Sequence, residues 1–457
     1  MSCHASLTIL ARKFVLLSFI LLTCTAACQS ASTESTYQPD EVRVGPLRLV
    51  SQVPYVFEPH IAVDPTNPDH LAAVVISTSE FEYTAGDKSK LVLYTSIDGG
   101  VTWMEQDPFE HSIVSGDGVV GFSSDGTLYV VGLANIGSVL TVRANAEGKM
   151  TLSNTSAVTS LSGNDKPWLT VDPRDGTLYV SYDGSTDIQY TEDHALLAQS
   201  TDQGHSWTKP VIASPGVLNS AIESGQANTH FGAQVMLGKG DNLAMVWVWA
   251  PDFDTLPSGV WVATSSDKGQ TFSAARQIAE TWGVISTAFH EGDYYIFYRE
   301  GTEQAQQLVA AISRDSGSTW TTTSVSGELP LYFDIDKAPG VNAAPNGTID
   351  VMFYAHGEGA PECIDVTAFR KRREQGWIDQ CVYNVYYTLS KDGGQSFYPP
   401  IRLNDEPIAG SRFVRTLGFS RPGEYMGMAS TNEYAYPIWI DTLGTNGTQA
   451  YTVQIER

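Results

Sequence analysis

Charged and titratable residues stand just before segments that alternate apolar and polar residues, at the positions where strands would begin. Such side chains are costly inside a sheet unless they are paired or hydrogen-bonded. The pattern predicts either a network of Asp–Lys and Asp–His pairs that pins the strands together, or a polar, partly desolvated pocket with shifted pKa values. The residues are Glu58, His60, Asp117, Asp165, Lys166, His230, Asp336, Lys337, Arg421, Glu424 and Tyr425.

The segments that follow these residues form an internal repeat. Each repeat is a turn followed by an alternating strand, as in "DPRDGTLYVSY" from Asp172. No long stretch of the chain has helical periodicity, so the predicted class is all-β. Seven such units can be counted, and they begin at Asp64, Ser123, Asp172, Gly238, Phe289, Ala344 and Ser430.

Each unit has room for four strands, which is the composition of a propeller blade. We therefore predict a β-propeller over residues 42–457, with seven blades favoured. The last unit has room for only three strands, and the alternating segment Glu41 to Ser51 is expected to supply the fourth and close the ring.

A second motif occurs five times, at the end of a predicted third strand. It reads Ser-x-Asp-x-Gly-x-Thr/Ser-Trp/Phe, beginning at Ser96, Ser200, Ser265, Ser313 and Ser390. Five copies will not be five active sites. In a turn, the Asp accepts backbone N–H groups two residues on, the Gly takes a positive φ and the aromatic residue is buried between blades. The motif resembles the Asp-box of the sialidase and BNR-repeat superfamily.

This resemblance implies a propeller whose Asp-boxes lie on the outside, away from the pocket. It leaves the activity open, because sialidases, other glycosidases, polysaccharide lyases and non-catalytic assembly factors share such repeats. True sialidases have six blades, which is the alternative to seven here.

The segment "RPGEYMGMASTNEYAYPIWID" resembles the last-blade segment of sialidases. The resemblance implies that Tyr425 is the nucleophile. Because a phenol with a pKa of about 10 needs an activating carboxylate, Glu424, Glu300 or another acid of the pocket would activate it. Asp165 or Asp117 would serve as the acid. The alternative is that Tyr425 only packs at the start of its strand.

Sialidases also bind the substrate carboxylate with three arginines, whose planar forks match it. The family's early Arg-Ile-Pro motif is missing, and the nearest sequence surrounds Arg43. The candidate substrate-binding residues are Arg299, Arg415, Arg421, His60, His230, Lys166 and Asp336. The leading hypothesis is a sialidase-like glycoside hydrolase that acts on glycans at the axial pocket. One rival is a lyase or rhamnosidase-like enzyme that uses His60 or His230 with Tyr425. The other is a non-catalytic propeller that binds glycan or partner proteins.

The beginning of the chain predicts export. Arg12 and Lys13 precede a short apolar run, and "TAAC" ends at Cys28, as in a lipoprotein signal over residues 1–27. A polar linker over residues 28–41 follows. We therefore expect a lipidated Cys28 and a place in the cell envelope or outside the cell. Simple secretion is the alternative.

The charge and the cysteines of the chain indicate which classes of binding partner and which covalent links to expect. The formal net charge of −24 disfavours nucleic acid and anionic membranes, so a lipid anchor would be the only membrane contact. Cys363 and Cys381 are expected to form a disulfide around the basic run Arg370 to Arg373. No cofactor is predicted, although Asp117, Asp165 and Asp336 could hold a structural cation.

Overall fold

The computed structural model describes residues 42–457 with internal gaps. All described strands belong to one compact unit, Tyr37–Arg457. The residues left out within this range are 81, 84–88, 107–113, 135–138, 145–151, 160, 162, 219–229, 250–257, 303–304, 330, 332–337, 357–381, 414, 417–418, 421 and 444–446. The signal segment, the linker up to residue 41, the cysteine pair and the run Arg370 to Arg373 lie outside the described residues.

The strands form seven antiparallel sheets that follow one another along the chain, each with its first strand innermost. We number these sheets as blades 1 to 7. Blade 1 consists of Val56–Asp64, Asn67–Thr78, Ser89–Ser96 and Met104–Gln106. Blade 2 consists of Val114–Phe122, Leu128–Ala134, Val139–Ala144 and Leu152–Thr159. Blade 3 consists of Asp165–Val171, Leu178–Gly184, Glu192–Ser200, Val211–Ile212 and Val217–Leu218. Blade 4 consists of Phe231–Leu237, Leu243–Trp249, Ser258–Ser265 and Arg276–Thr281. Blade 5 consists of Ser286–His290, Asp293–Thr302, Ala305–Ser313 and Thr321–Ser324. Blade 6 consists of Gly340–Ala343, Ile349–His356, Val382–Ser390, Ile401–Arg402 and Ile408–Ala409. Blade 7 consists of Gly427–Ser430, Tyr434–Asp441, Gln449–Thr452 and Ile455–Glu456.

The ring closes as the alternating segment near residue 41 predicts. Arg48–Leu49 pairs with Tyr451 and Thr452, and Arg43–Val44 pairs with Ile455–Glu456. Blade 7 thus takes its outer strand from the start of the described chain. The inner strands contact one another in order from blade 1 to blade 7, and those of blades 7 and 1 also touch. The prediction of an all-β propeller with four-stranded blades is confirmed.

The core lies between neighbouring blades. The second and third strands are buried on both faces, so they are apolar almost throughout, as strands covered on two sides must be. In blade 6, Ile349–His356 is buried along its whole length. Trp247 and Trp439 are fully buried in separate interblade clusters.

The Asp-box motif forms the same turn in all five copies. In the first, the buried Ser96 hydroxyl donates to Asp98 Oδ1 at 2.8 Å and accepts the Gly100 N–H at 2.9 Å. Asp98 accepts the N–H and the hydroxyl of Thr102, four residues on rather than the two residues expected. The serine is therefore the residue that satisfies the nearer N–H group. Trp103 is buried in an interblade cluster, which makes the motif a structural turn.

Two smaller features complete the description. A three-stranded sheet joins Glu82–Tyr83 to Arg415–Thr416 and Phe419–Ser420. A short 3₁₀ turn covers Gly410–Arg412. Within the described residues, no helix has the length and apolar character needed to cross a membrane.

Candidate functional site

Four consecutive blades begin with the same distortion of the inner strand. The register of the inner strand slips between Phe57 and His60 in blade 1, and at the equivalent place in blades 2, 3 and 4. Each slip contains a residue with positive φ, which is unfavourable for any residue except glycine. The residues are Glu58 (φ 52°), Asp117 (φ 48°), Lys166 (φ 48°) and Gly232 (φ 66°). Bulges of this kind re-aim side chains next to functional sites.

The bulges bring three charged side chains together, and blade 7 adds a fourth. Lys166 Nζ lies 3.0 Å from Asp117 Oδ1 and 3.9 Å from Glu58 Oε1, and it also contacts Glu424 Oε2. The Glu424 N–H donates to Glu58 Oε1 at 3.3 Å. We call Glu58, Asp117, Asp165, Lys166 and Glu424 the Lys166 cluster. One ammonium thus faces several carboxyl groups, and at most 13% of any of the four side chains that contact one another is exposed.

The carboxyl groups of the cluster cannot all ionise. Burial raises the pKa of Glu58 well above its usual range, against the opposing effect of Lys166. Burial also acts to raise the pKa of Asp117. The Lys166 charge and hydrogen bonds from Glu58, Asp165 and Lys166 outweigh burial there and lower that pKa to about 2. Asp117 is therefore the carboxyl group that favours the ionised form, whereas the surroundings of Glu58 favour its protonated form.

Asp165 occupies the solvent side of the cluster. Burial of its carboxyl group raises its pKa to about 7, with Lys166 opposing the shift and Asp117 and Glu424 adding to it. The residue as a whole is exposed. Burial is the largest cause of the shift, and the neighbouring Asp117 and Glu424 carboxyl groups act in the same direction. Asp165 is the acid of the cluster that can exchange a proton with a molecule arriving from solvent.

Tyr425 is buried beside the cluster. Its hydroxyl donates to the carbonyl oxygen of Gly118 at 3.3 Å, and its ring contacts Trp168 edge to face at 5.7 Å. Burial raises its pKa well above 10, and the nearby carboxylates add to this effect. The neutral phenol is therefore the stable form in this arrangement.

His60 lies on the other side of Trp168, with ring centroids 5.2 Å apart. Burial lowers its pKa to about 4, so the ring is neutral near pH 7. Its Nδ1 accepts the Val120 N–H at 3.4 Å, which places the ring proton on Nε2. Trp168 therefore separates His60 from Tyr425.

His230 is fully buried. Asp193 Oδ2 accepts both its backbone N–H at 2.8 Å and its ring Nδ1–H at 2.9 Å, and Trp249 stacks on the ring. Asp183 lies across from Asp165 in the sheet of blade 3, and its Oδ2 accepts the Gly232 N–H at 2.7 Å. These contacts fix the bulge of blade 4, so His230 acts as a structural residue behind the cluster.

The arginine candidates are not brought together among the described residues. Arg299 is buried on the second strand of blade 5, one strand out from the axis. Arg43 forms an exposed ion pair with Glu456 on the outer edge of blade 7. Arg421 and Asp336, and the side chain of Arg415, lie outside the described residues, so their predicted roles stay predictions.

A small cavity adjoins the cluster. It has a volume of about 20 Å³, which is room for about one water molecule. Its lining includes Lys166, Trp168, Phe231, Glu424 and Tyr425, and no arginine of the described chain lines it. Phe231 also lies under the ammonium, with Nζ 5.6 Å from the ring centroid.

The sequence marks Glu58 as a titratable residue at the start of an inner strand without assigning it a catalytic or binding role, and it does not single out Asp183. The grouping of Glu58 with the cluster could have been found by aligning the starts of the inner strands "VFEPH", "SGDGV" and "NDKPW", which places Glu58, Asp117 and Lys166 in one column. Asp183 carries no such signal, because it lies on a second strand. Among the described residues, no group of three or more His, Cys, Asp or Glu is arranged to hold a metal ion.

The comparisons with known proteins agree with the architecture. The BNR repeat-like domain matches residues 166–446, which is more than half of the chain. The chain therefore belongs to the BNR repeat-like family, within the superfamily that its Asp-boxes resemble. No curated protein is matched by its sequence.

Solved structures share the fold at low identity. Polysaccharide lyase Uly1 is 11% identical with a TM-score of 0.53, and the match covers 91% of this chain and 99% of that one. A PL25 ulvan lyase is 9% identical with a TM-score of 0.50, over 87% of this chain and 94% of that one. The Hadza microbial sialidase Hz136 is 16% identical with a TM-score of 0.46, over 84% and 74%. At these identities the likeness shows the fold alone.

Proposed function

We propose that this propeller is a glycoside hydrolase in which Asp165 of the Lys166 cluster is the proton donor. The observation that supports this role is the pair of neighbouring carboxyl groups of Asp117 and Asp165, both beside Lys166, whose surroundings hold one pKa at about 2 and the other at about 7. Such a pair supplies one ionised and one protonated carboxyl group near neutral pH, as acid–base catalysis requires. Asp165 is also the member that solvent reaches.

The substrate class is carbohydrate. The two relatives with TM-scores of 0.53 and 0.50 are named as polysaccharide lyases, which supports a glycan as the ligand of this fold. Lys166 contacts three protein carboxylates, so its ammonium is not free to pair with a carboxylate of the substrate. The cluster therefore favours a neutral glycan over a sialic or uronic acid.

The geometry favours water as the attacking group. The Tyr425 hydroxyl donates to a backbone carbonyl rather than to a carboxylate, and its high pKa disfavours the phenolate. A nucleophilic tyrosine would need a base in hydrogen-bond reach. Tyr425 would then shape the site next to Trp168 instead of forming a covalent intermediate.

The test is a screen of the full chain on neutral aryl glycosides and oligosaccharides, a sialyl aryl glycoside and a uronate polysaccharide. The Asp165→Asn variant should lose 10²- to 10⁴-fold in rate on the neutral substrate, the usual contribution of a general acid. Asp175→Asn makes the same chemical change at an exposed ion pair and should leave the rate unchanged. Tyr425→Phe should retain activity within about tenfold.

Other results would favour a different function or remove Asp165 from the mechanism. Release of sialic acid, or a collapse of activity in Tyr425→Phe, would restore the sialidase hypothesis. Ultraviolet absorbance from an unsaturated product would indicate a lyase. An Asp165→Asn variant as active as the parent would remove Asp165 from the mechanism.

A non-catalytic glycan-binding propeller is the second candidate, and the small size of the cavity favours it. A volume of about 20 Å³ does not admit a sugar ring, so a ligand would rest above the cluster near Asp165. This candidate predicts a parent protein that is inactive on the whole panel yet binds immobilised glycans.

Export with a lipidated Cys28 is also part of the proposal, supported by the sequence of the first 28 residues. Labelled fatty acid should be incorporated into the expressed full chain and not into its Cys28→Ala variant.

A further inference from the structure

A second cavity opens at the other end of the axis. The inner strands start at the Lys166 cluster and run toward the turns that follow Asp64, Phe122 and Val171. The cavity has a volume of about 650 Å³ and is lined by these strand ends and turns. We call this space the axial vestibule. Its volume is within the range of about 300–1,000 Å³ found for small-molecule sites.

The wall of the vestibule is apolar and its mouth is rigid. Phe122, Val171, Phe289, Val341 and Met428 contribute to the wall. Prolines stand in the turns at the mouth, where their fixed φ limits movement. They are Pro65, Pro173 and Pro345, and Pro68 stands near the start of the second strand of blade 1. A cavity held open in this way needs little reorganisation to take up a ligand.

The polar groups of the vestibule carry a negative charge. Asp69 and Glu433 are exposed at its mouth, and no lysine or arginine is found among its lining residues, all of which are described. Asp64 also lines it, but its carboxylate is already bonded to Thr66 and His70. The two exposed carboxylates therefore set the charge that an incoming molecule meets.

The inner limit of the vestibule is formed by His60 and Trp168. Trp168 lines both cavities, whereas Lys166, Glu424 and Tyr425 line only the small one. The vestibule is thus a separate site that opens away from the Lys166 cluster, and its role does not depend on the proposed hydrolysis.

We propose that the axial vestibule binds a small molecule with an apolar body and a protonated amine. The apolar wall would take the body, and Asp69 and Glu433 would attract the ammonium group at the mouth. The acidic mouth, with no lysine or arginine among the lining residues, disfavours carboxylates and phosphates.

Three probes of one shape test this proposal on the full chain: 2-naphthylmethylammonium, 2-naphthylmethanol and 2-naphthoate. Saturation-transfer NMR titrations at low salt should show saturable binding of the ammonium, about fivefold weaker binding of the alcohol and the weakest binding of the carboxylate. The preference should shrink at high salt, since exposed charges are screened.

Two variants connect the binding to this site. Asp69→Asn with Glu433→Gln should remove the preference for the ammonium while leaving the affinity for the alcohol within twofold. Ala343→Trp should narrow the vestibule and weaken the binding of all three probes. Three results would each overturn the proposal. The ammonium could fail to bind saturably, all three probes could bind the parent equally, or the variant with both acids replaced could keep the preference for the ammonium. Asp165→Asn should bind the probes as the parent does, which separates this site from the proposed active site.

Discussion

Replacing Lys166 with methionine should destabilise the protein in a strongly pH-dependent way. The substitution keeps the aliphatic bulk and removes the ammonium that contacts Asp117, Glu58 and Glu424. Breaking a buried ion pair by removing one partner typically costs about 3–5 kcal/mol. An independent estimate comes from Asp117, because lowering its pKa from 3.8 to about 2 corresponds to about 2–3 kcal/mol.

The direction in which the stability changes with pH also follows from Asp117. The folded-state pKa of Asp117 lies below its unfolded value, so its contribution to stability is present above about pH 4 and is lost as the pH falls through about 2. Without Lys166, burial would instead raise this pKa. The variant would then bind protons that the parent does not. Its deficit should therefore be largest near pH 7.5 and smaller near pH 4.5, where the buried carboxyl group of the variant can be protonated.

Urea unfolding of parent and variant at these two pH values measures the deficit. Lys268→Met is the matched control, because Lys268 and Asp175 form an exposed pair at 2.7 Å that should contribute less than about 1 kcal/mol. A Lys166→Met protein within about 1 kcal/mol of the parent at pH 7.5, or equally destabilised at both pH values, would refute the account of the cluster.

Three further outcomes are expected. Ser390→Ala should lower the free energy of unfolding by about 1–3 kcal/mol and leave activity unchanged. The reason is that the buried Gly394 N–H, which donates to the Ser390 hydroxyl at 2.8 Å, would lose its acceptor, and an unaltered midpoint of urea unfolding would contradict this. Arg457→Ala should cost about 3–5 kcal/mol, because Arg457 donates to the buried Asp350 at 2.8 Å, and a double change with Asp350→Asn should recover part of the loss. If Asp165 is the proton donor, kcat/KM should fall as the pH rises through about 7, and a rate that is flat from pH 6 to 8 would argue against that role.

Much of the fold is predictable because turns and strand alternation are local signals. The Asp-box fixes each turn between the third and fourth strands through contacts within eight residues, as from Ser96 to Trp103. The strand at Arg43–Leu49 is predictable for another reason: the last unit lacks one strand, and the alternating segment near residue 41 has no other partner.

The site was only partly predictable. Their positions before inner strands predict that five residues belong to the site, and the structure brings all five together. They are Asp117, Asp165, Lys166, Glu424 and Tyr425. The positive φ values of Glu58, Asp117 and Lys166 could not be foreseen, because non-glycine residues give no local sign of that conformation. His230 looks the same as His60 in sequence, and only burial against Asp193 distinguishes the structural histidine from the one that lines a cavity.

The closure of blade 7 also sets an order on folding. Arg43–Leu49 is among the first parts of the propeller to be synthesised, yet its partners, Tyr451 to Glu456, are among the last. Until those partners emerge, Arg43–Leu49 has no strand to pair with and the blades can form only an open arc. The final closure therefore depends on contacts between residues some four hundred positions apart, which makes it a slow, non-local step. A nascent chain of this protein thus remains exposed to mispairing until the last strands of the propeller have been synthesised.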